Sequence, residues 1–469
     1  MTGGRSSPQR PATYRQVFAV AEFRSLWYAQ VLSLLGDQLA QVALAVLVYQ
    51  RTGSAVLTAL AYALTYLPAI IGGPLLSGLA DLFPRRQVMI ITDLVRAALV
   101  AVMALPQTPF WGMCVLLFFV YLLGAPFSAA RAATLPDVLP GDRYVVGSAV
   151  ANTTFQASQV IGFFTGGALV ALVGAHQALG IDAATFVVSA LLLRLGVRHR
   201  PSLHSGGRAR PSLFGATWAG VRLVFGDNRL RMLVAFAWLS GFYVVPEGLA
   251  SPYGLSIGGA TTVGILMAAM PLGTVIGALV LTRFVPPERR LDLVGPLALL
   301  ACAPLIVSVF HPGLVLTFIL WTLSGFGGAY QLAANAAFMR SVPAAGRGQA
   351  FGVAQSGLLA AQGAGILLAG VVADASSPQW AVTIFGAAGL VVALVLAARW
   401  RVVRPQISPL HDGGEEDAPS EEGAAAEPGT EGTAGGPPQP SSRNGSFPPD
   451  GAQDDQRSPS PGPATAGSD

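Results

Sequence analysis

Residues 77–86 read Ser-Gly-Leu-Ala-Asp-Leu-Phe-Pro-Arg-Arg, a short charged turn between two long apolar stretches. Residues 54–78, which lead into the turn, carry no charged side chain, and residues 88–106, which follow it, carry only Asp93 and Arg96. A carboxylate and paired guanidiniums between two such segments are typical of a membrane hairpin whose cytoplasmic end is fixed by positive charge. The turn therefore predicts two membrane helices joined in the cytoplasm.

The whole chain has the composition of a membrane protein. Of its 469 residues, 52% are hydrophobic and 11% are charged, against about 25% charged residues in an average soluble domain. All basic residues are arginine: residues 1–404 hold 26 against 12 acidic residues, whereas residues 405–469 hold 2 against 12. Because these arginines fall in short loops, they indicate membrane topology and no nucleic-acid partner.

Twelve stretches are long enough to cross a hydrocarbon core of about 30 Å. They lie at 26–49, 56–80, 88–105, 110–130, 145–173, 179–195, 232–253, 263–284, 293–310, 314–338, 350–373 and 380–398. Arginines concentrate in every second connection, and the intervening connections hold only Arg51. This alternation predicts an even number of crossings with both termini in the cytoplasm. Residues 2–18 show no cleavable signal peptide, so the first span is expected to act as an uncleaved signal.

The longest internal connection divides the spans into two sets of six. The predicted organisation is a cytoplasmic segment at 1–25, a six-helix bundle at 26–195, a cytoplasmic linker at 196–228, a second bundle at 229–400 and a disordered acidic tail at 401–469. A weak repeat at an offset of about 200 residues indicates two copies of one unit with a substrate path between them. Within the linker, residues 213–225 predict either an amphipathic helix on the inner leaflet or an ordered linker helix.

Asp37 is the first candidate coupling residue. It lies about 16 Å beyond Leu26 at the helical rise, hence near the bilayer midplane. A charge there costs at least about 2.5 to 3.5 kcal/mol, so Asp37 is expected to face a cavity, pair with a cation or stay protonated. Gln41 lies one turn further on the same face, and Gln38 adds polar atoms. Asp37 is either a proton or cationic-substrate site, or a hydrogen-bonded structural acid.

Glu247 is the second candidate, about 22 Å into the seventh span and therefore toward the outer side. The flanking Pro246 and Gly248 predict a broken or bent helix whose carboxylate faces a central cavity, where it binds substrate or protons; a solvated acid at the outer mouth is the alternative. Asp93 and Arg96 are expected to form a local ion pair that supports the cytoplasmic loop. Asp182 is expected at a helix end near the outer face.

The remaining polar residues define no enzyme site. Asn152, Gln156 and Gln159 form a stripe on the fifth span, which fits both a cavity lining and a set of interhelical hydrogen bonds. Two isolated cysteines and five dispersed histidines give no disulfide framework or metal-site spacing. No phosphate-binding loop of the Walker type occurs, so a proton gradient rather than ATP or a cofactor is the expected energy source.

The chain resembles the major facilitator superfamily, and within it the drug, macrolide and siderophore exporters. Gly78-Leu79-Ala80-Asp81 with Arg85-Arg86 is similar to the signature loop of that family between helices two and three. Further similar stretches are Phe23-Arg24-Ser25-Leu26-Trp27, Leu35-Gly36-Asp37, Thr52-Gly53-Ser54 and Asp93-Leu94-Val95-Arg96. The resemblance covers residues 15–404.

The resemblance implies a gating role for this motif. In the family the carboxylate corresponding to Asp81 pairs with nearby cations and a facing helix start, which closes the cytoplasmic side when the transporter opens outward. The implied gating residues are Gly78, Asp81, Arg85, Arg86, Asp93 and Arg96. On the fifth span, the glycines of the antiporter signature remain without its proline, and close helix packing is expected at Gly162, Gly166 and Gly167.

Together these features predict an all-α membrane protein of the MFS fold with twelve transmembrane helices in two six-helix bundles. The expected function is secondary active transport in a bacterial inner membrane, by a monomer that exports an amphiphilic drug, antibiotic or siderophore-like molecule in exchange for protons. The alternatives are an importer or uniporter of a small metabolite, and a non-transporting sensor or scaffold that uses the acidic tail.

Overall fold

The computed structural model describes residues 13–76, 82–200, 213–343 and 346–406. These residues form helices joined by short turns, and no strand occurs among them. Gly78 and Asp81 of the predicted gating loop lie outside the described residues, as do residues 407–469, which include most of the predicted acidic tail.

The first half of the molecule is built from eight helices. They are α1 Tyr14–Phe18, α2 Ala21–Thr52, α3 Ala55–Ala63, α4 Leu67–Leu76, α5 Arg85–Met103, α6 Phe110–Val138, α7 Asp142–Val173 and α8 Ala175–Gly196. Four predicted spans, the first, fourth, fifth and sixth, each coincide with one long helix. The second span consists of α3 and α4, and the third coincides with α5.

The second half begins with a linker helix and repeats the pattern. Its helices are α9 Leu213–Gly226, α10 Asn228–Trp238, α11 Ser240–Tyr243, α12 Val245–Ile257, α13 Ala260–Phe284, α14 Pro287–Arg290, α15 Val294–Cys302, α16 Leu314–Gly328, α17 Tyr330–Ser341, α18 Arg347–Ala375 and α19 Pro378–Val403. A 3₁₀ helix, Ala303–Phe310, extends α15, and another, Arg404–Gln406, follows α19.

Nine helical segments of the described chain are long and apolar enough to cross a membrane. Three further predicted spans coincide with α3 plus α4, with α5, and with α15 plus its 3₁₀ extension. The first and last of these are built from short pieces, and α5 carries four charged side chains. The described helices follow the order of the predicted spans; the count of twelve and the location of the termini stay predictions.

The predicted bend in the seventh span is confirmed. The span is divided into α10, α11 and α12, and Pro246 occupies the first turn of α12. A proline is tolerated there because the N–H that it lacks would have no helical partner in that position. The break places Glu247 in the first turn of α12, half-buried at the contact between the two halves, where it meets Tyr62 of the first half.

The lone arginine of the outer connections joins three loops of the first half. Arg51 donates hydrogen bonds to the carbonyl oxygens of Pro106, at 2.7 Å, and Thr108, at 3.0 Å. Its Nη2 also lies 3.0 Å from Nε2 of His176. These contacts give Arg51 a structural role at the end of α5, which explains a positive charge on the face that is otherwise poor in arginine.

The linker helix α9 packs against the second half. Val224 is fully buried, and a Cβ atom added at Gly220 would lie 2.6 Å from the carbonyl oxygen of Gln349 on α18. Trp218 and Phe225 remain exposed. The helix therefore packs one face on α18, as an ordered linker helix would, and its exposed aromatic side chains also fit the amphipathic helix on the inner leaflet that is the other prediction for this segment.

Glycines on α7 allow close contact with two other helices. A Cβ atom at Gly162 would lie 2.6 Å from Cβ of Gln38, and one at Gly166 would lie 3.2 Å from Cα of Leu39, both on α2. At the crossing of α7 with α13, a Cβ atom at Gly167 would lie 2.6 Å from Cα of Gly264. This last contact joins the two halves backbone to backbone.

Substitution of Gly264 by valine is expected to weaken the contact between the halves. Its Cβ atom would lie 2.5 Å from both Cα of Gly167 and the carbonyl oxygen of Phe163, and overpacking of this kind costs about 1 to 3 kcal/mol. The matched control is Gly180→Ala, because no atom lies within 4 Å of a Cβ at that exposed helical position. Thermal unfolding in detergent should show a lower midpoint for Gly264→Val only; equal midpoints would contradict this packing.

Candidate functional site

A cavity of about 550 Å³ lies between the two halves. The first half contributes Tyr66, Gln156 and Gln159, and the second half contributes all the other described lining residues. That wall mixes apolar side chains with a few polar groups, which is typical of sites for small molecules. Residues on it include Leu233, Tyr243, Glu247, Met270, Thr274, Gln331, Asn335, Phe338, Phe351, Gln355 and Gln362.

The large cavity extends toward the face that is rich in arginine. Leu233, Phe338 and Phe351 lie within one or two turns of helix ends that carry arginines, and all three line the cavity. At the opposite face the halves are in contact, through Gly167 with Gly264 and through α3 with α18. The cavity of the described residues therefore lies toward the arginine-rich face and the halves meet at the opposite face; with the topology that the arginines predict, this is an inward-facing conformation.

A smaller cavity of about 230 Å³ continues from the first. It is lined by Asp37, Gln38 and Gln41 of α2, and it shares Tyr66, Gln159, Glu247 and Pro271 with the larger cavity. Asp37 and Gln41 thus lie on one cavity wall, as their spacing indicated. The structure brings the two predicted coupling carboxylates, one from each half, to the same cavity.

Glu247 is held by two tyrosines of the first half. The hydroxyl of Tyr62 donates to Oε2 at 3.0 Å, and that of Tyr66 lies 3.5 Å from the same oxygen. Both phenols belong to the uncharged second span, so the contact crosses between the halves. A carboxylate stabilised only by neutral donors still attracts a cationic group, because a hydroxyl donor leaves most of its negative charge uncompensated.

Asp37 pairs with a buried arginine. Nη2 of Arg96 donates to Oδ1 of Asp37 at 2.7 Å, and Arg96 is only 4% exposed. The expected partner Asp93 is the more distant of the two, with 3.9 Å between Nη1 of Arg96 and Oδ1 of Asp93. The predicted local pair of Asp93 and Arg96 is therefore present at this longer distance, and Arg96 in addition pairs with Asp37, which makes it the centre of a charge cluster that reaches the cavity.

The rest of the cluster fixes Arg96 in place. Its guanidinium carbon lies 4.1 Å from the ring centroid of Phe186, a cation–π geometry. Asp93 is fully buried and accepts a hydrogen bond from Oγ of Ser189 at 2.6 Å. Nη1 of Arg96 also lies 3.5 Å from Oγ of Ser33. Helices α2, α5 and α8 all contribute, so the cluster holds three helices of the first half together.

The expectation for Asp182 is wrong. It does not end a helix at the outer face; it lies inside α8, is 1% exposed, and accepts a hydrogen bond from Thr185 at 3.3 Å. Its carboxylate lies against Gly36 of α2, where a Cβ atom would overlap it. Helix α8 begins at Ala175 rather than at residue 179, so Asp182 lies two turns inside the helix.

The buried charges of the first half do not balance. Arg96 pairs with Asp37 and Asp93 and also interacts electrostatically with Asp182; Asp93 and Asp182 are buried and Asp37 is half-buried. An ionised carboxylate without a counter-charge is costly in such a place, and groups in this situation bind protons instead. The cluster is therefore suited to take up and release protons, and Asp37 is the member that lines the cavity.

The other predicted cavity residues divide into three groups. Nε2 of Gln41 donates to the hydroxyl of Tyr121 at 2.8 Å, and Gln156 lines the large cavity. Gln38 is buried, and within the described part of the chain its Oε1 has no hydrogen-bond partner. Asn152 is exposed and lies outside the walls of both cavities, so the structure does not support it as a lining residue.

The described arginines of the gating motif bind other elements of the first half. Nη1 of Arg85 donates to Oδ2 of Asp137 and to the carbonyl oxygen of Ala133, both at 2.7 Å. Arg86 donates to the carbonyl oxygen of Arg194. These bonds tie the start of α5 to the ends of α6 and α8 on the arginine-rich face, and the gating role of the motif stays a prediction.

Sequence analysis did not place four residues in the site: Tyr62, Tyr66, Tyr121 and Asp182. The sequence does contain one indication for Tyr62 and Tyr66: they lie four residues apart in a span without charged side chains. Phenols at this spacing share a helix face and present hydroxyls to one partner. That the partner is Glu247, from the other half, depends on tertiary packing.

The Major Facilitator Superfamily model matches residues 26–314 and 259–443 of the chain. The chain therefore belongs to that superfamily and is a membrane transporter of the bacterial plasma membrane, built from helices of the MFS fold.

Two relatives with known names are exporters. Macrolide efflux protein A of Streptococcus pyogenes is 24% identical over 308 residues, which are 63% of this chain and 72% of that protein. Multidrug efflux pump Tap of Mycolicibacterium fortuitum is 27% identical over 368 residues, 74% of this chain and 88% of the pump.

Solved structures show the same fold. The nucleoside transporter NupG aligns with a TM-score of 0.61 at 18% identity, over 80% of this chain and 98% of that one. A peptide transporter POT aligns with a TM-score of 0.64 at 16% identity, over 86% and 98% of the two chains. At these identities the likeness concerns the fold alone.

Proposed function

We propose that this protein exports an amphiphilic small molecule from the cytoplasm in exchange for protons, by alternating access of the cavity between its halves. The observation that carries the proposal is the smaller cavity, because Asp37 of the first half and Glu247 of the second half both line it. A membrane carboxylate that lines a cavity and neighbours a buried arginine is suited to proton exchange. The names of the two relatives support export of a drug-like molecule.

The exchange begins in the inward-facing state. The substrate enters the large cavity from the cytoplasmic side, where Phe338 and Phe351 offer apolar surface and Gln355 offers polar contacts. Its cationic or hydrogen-bonding group reaches Glu247 and replaces a phenol as the partner of that carboxylate. Because Tyr62 and Tyr66 join Glu247 to the first half, loss of their hydrogen bonds weakens the contact between the halves.

The return step uses the proton. In the outward-facing state the substrate leaves, and a proton from outside neutralises Asp37. Arg96 then keeps Asp93 as its ion-pair partner and Asp182 as a further carboxylate nearby, so the wall of the cavity changes its charge without a large movement. The protonated carrier returns to the inward-facing state, where the proton is released to the cytoplasm and the ion pair between Arg96 and Asp37 forms again.

The test is a substrate panel in inverted membrane vesicles with an imposed pH gradient, acidic inside. The panel contains macrolides, lipophilic cations and neutral amphiphiles of similar size. Accumulation of at least one class that disappears when the gradient is collapsed by a protonophore supports the proposal. Accumulation that is unaffected by the gradient would indicate a uniporter instead.

Replacing Glu247 by glutamine is expected to separate substrates by charge. The amide keeps the size and can still accept from Tyr62, but it has no negative charge for a cation. Accumulation of lipophilic cations should fall by about tenfold or more, the effect of losing about 1.5 to 3 kcal/mol from a charged hydrogen bond, whereas neutral amphiphiles should be affected little. Equal losses for both classes would contradict a substrate-binding role for the carboxylate.

A further inference from the structure

Asp374, at the end of α18, lies against the first turn of α3. Its Oδ1 accepts a hydrogen bond from the backbone N–H of Ala55 at 2.5 Å, and its Oδ2 accepts from Oγ of Ser54 at 2.6 Å and from the backbone N–H of Val56 at 3.2 Å. Helix α3 belongs to the first half and α18 to the second. One side chain therefore makes three hydrogen bonds across the contact between the halves.

The contact completes a helix start that the first half leaves incomplete by itself. The first N–H groups of a helix have no partner inside it. Ser54 caps α3 by accepting the N–H of Leu57 on its Oγ at 3.2 Å. The N–H groups of Ala55 and Val56 remain, and Asp374 accepts both. A carboxylate is also the favoured charge at this end of a helix, because the N-terminus carries a partial positive charge.

The neighbouring surfaces fit closely only when the halves are together. A Cβ atom at Gly370, one turn before Asp374, would lie 2.6 Å from Cβ of Ala59 and 2.9 Å from Cα of Val56. Ala59 is fully buried. Helix α3 has no charged side chain. The groups that bind the carboxylate of Asp374 are therefore the backbone N–H groups at the start of the helix and the hydroxyl of Ser54. Close packing and the hydrogen bonds of Asp374 thus depend on the same closed arrangement.

We infer that Asp374 is the latch of the outer gate: it holds the outer ends of α3 and α18 together in the inward-facing state, and it must release α3 before the transporter opens outward. The inference rests on the proposed alternating access. Asp374 is exposed, so water can replace its protein partners as the halves separate. This makes the contact strong enough to bias the gate and weak enough to open in each cycle.

The expected effect is a change in the ratio of closed to open outer gates. Removal of an acidic cap and its favourable interaction with a helix N-terminus should lower that ratio about five- to tenfold. The effect should be smaller for Ser54→Ala, which removes one of the three cross-half hydrogen bonds and leaves the two N–H groups bound to Asp374.

The experiment measures the distance across the outer gate by double electron–electron resonance in reconstituted protein. Spin labels are attached at Gln50→Cys and Ala375→Cys, two exposed positions on either side of the gate, after the buried Cys114 and Cys302 have been replaced by alanine. The parent protein should show mainly the short distance. Asp374→Ala should raise the population at longer distance about five- to tenfold relative to the short one, and Asp374→Asn, which keeps the shape, should give an intermediate shift.

The matched control is Asp292→Ala. This carboxylate is also exposed and also lies in the second half, but its partner, Arg404 at 2.7 Å, belongs to the same half. Its removal should leave the distances unchanged. If Asp374→Ala does not fold, Asp374→Asn and Ser54→Ala decide the question. Distances that stay unchanged in every folded variant at these two positions would overturn the inference, as would an equal shift in the Asp292 control.

The measurement is made without substrate and without a gradient. Failure of the latch would therefore leave the proposed export intact, since another contact could close the outer gate. Conversely, if no substrate is exported but the distances shift as expected, the gate is assigned and the proposed function is wrong.

Discussion

Replacement of Arg96 by alanine is expected to destabilise the protein strongly. The guanidinium is the single positive charge beside two buried carboxylates, of Asp93 and Asp182, and the half-buried carboxylate of Asp37. Removal of one partner from a buried ion pair costs about 3 to 5 kcal/mol, because the other charge remains in a poorly solvated place. The stacking of Arg96 on Phe186 is lost in addition. The thermal unfolding midpoint in detergent should therefore fall well below that of the parent protein.

The control for this prediction is Arg229→Ala. Arg229 pairs with Asp227 at 3.0 Å, but both side chains are about one-third exposed, at 33% and 29%. Exposed pairs of this kind contribute about 0 to 1 kcal/mol, so the midpoint should change little. Similar midpoints for the two arginine variants would contradict a central role of Arg96 in the cluster.

The stability lost in Arg96→Ala should be partly restored when a negative charge of the cluster is removed as well. Arg96→Ala combined with Asp93→Asn removes one charge of each sign, so the double variant should be more stable than Arg96→Ala alone. Lower pH should act in the same direction: protons neutralise the carboxylates that have lost their counter-charge, and stability should rise as the pH falls. Stability of Arg96→Ala that falls in parallel with the parent protein on acidification would show that unpaired carboxylates are not the cause.

Replacement of Asp37 by asparagine is expected to abolish transport driven by the pH gradient. The amide keeps the size of the side chain but cannot exchange a proton. Binding of the substrate should persist, because the large cavity with Glu247, Phe338 and Phe351 is unchanged. The variant should therefore lose accumulation in inverted vesicles by about two orders of magnitude or more, the loss seen when a proton-transfer group is removed, and should still exchange labelled for unlabelled substrate.

Asp227→Asn is the matched control, since it makes the same chemical change at a surface position near α10. It should transport as the parent protein does. Accumulation by Asp37→Asn at the parent rate would make Asp37 a structural acid, the alternative that the sequence left open. Loss of both accumulation and exchange would place Asp37 in substrate binding instead of proton coupling.

Much of the fold could be predicted because each membrane helix is encoded locally. A run of apolar residues must form a helix in the bilayer, where every backbone N–H and C=O needs a partner within the segment. Pro246 likewise marks a helix break without reference to any other part of the chain. Such features depend on neighbours in sequence. The order of the segments and the break in the seventh span could therefore be predicted from the sequence.

The candidate site could be predicted only in part, because the residues that contact one another there are far apart in the sequence. Asp37 and Glu247 could be identified because they are carboxylates inside apolar segments. A charged side chain in the membrane has a high free-energy cost, so such residues are candidates for a function. Nothing in the sequence shows that Arg96 lies nearer to Asp37 than to Asp93, or that Tyr62 reaches Glu247. Asp182 was misplaced for a simpler reason: the apolar pattern of α8 starts after its first turn, so the start of the helix was set too late.

The most direct test of the account is a measurement of proton movement with substrate movement. Purified protein is reconstituted into liposomes that contain a pH-sensitive dye and a substrate from the panel, with no pH gradient at the start. Dilution into substrate-free buffer should make the lumen more acidic as substrate leaves, with no such change in Asp37→Asn. Substrate efflux from the parent protein without any change in luminal pH would contradict proton exchange as the function of this cavity.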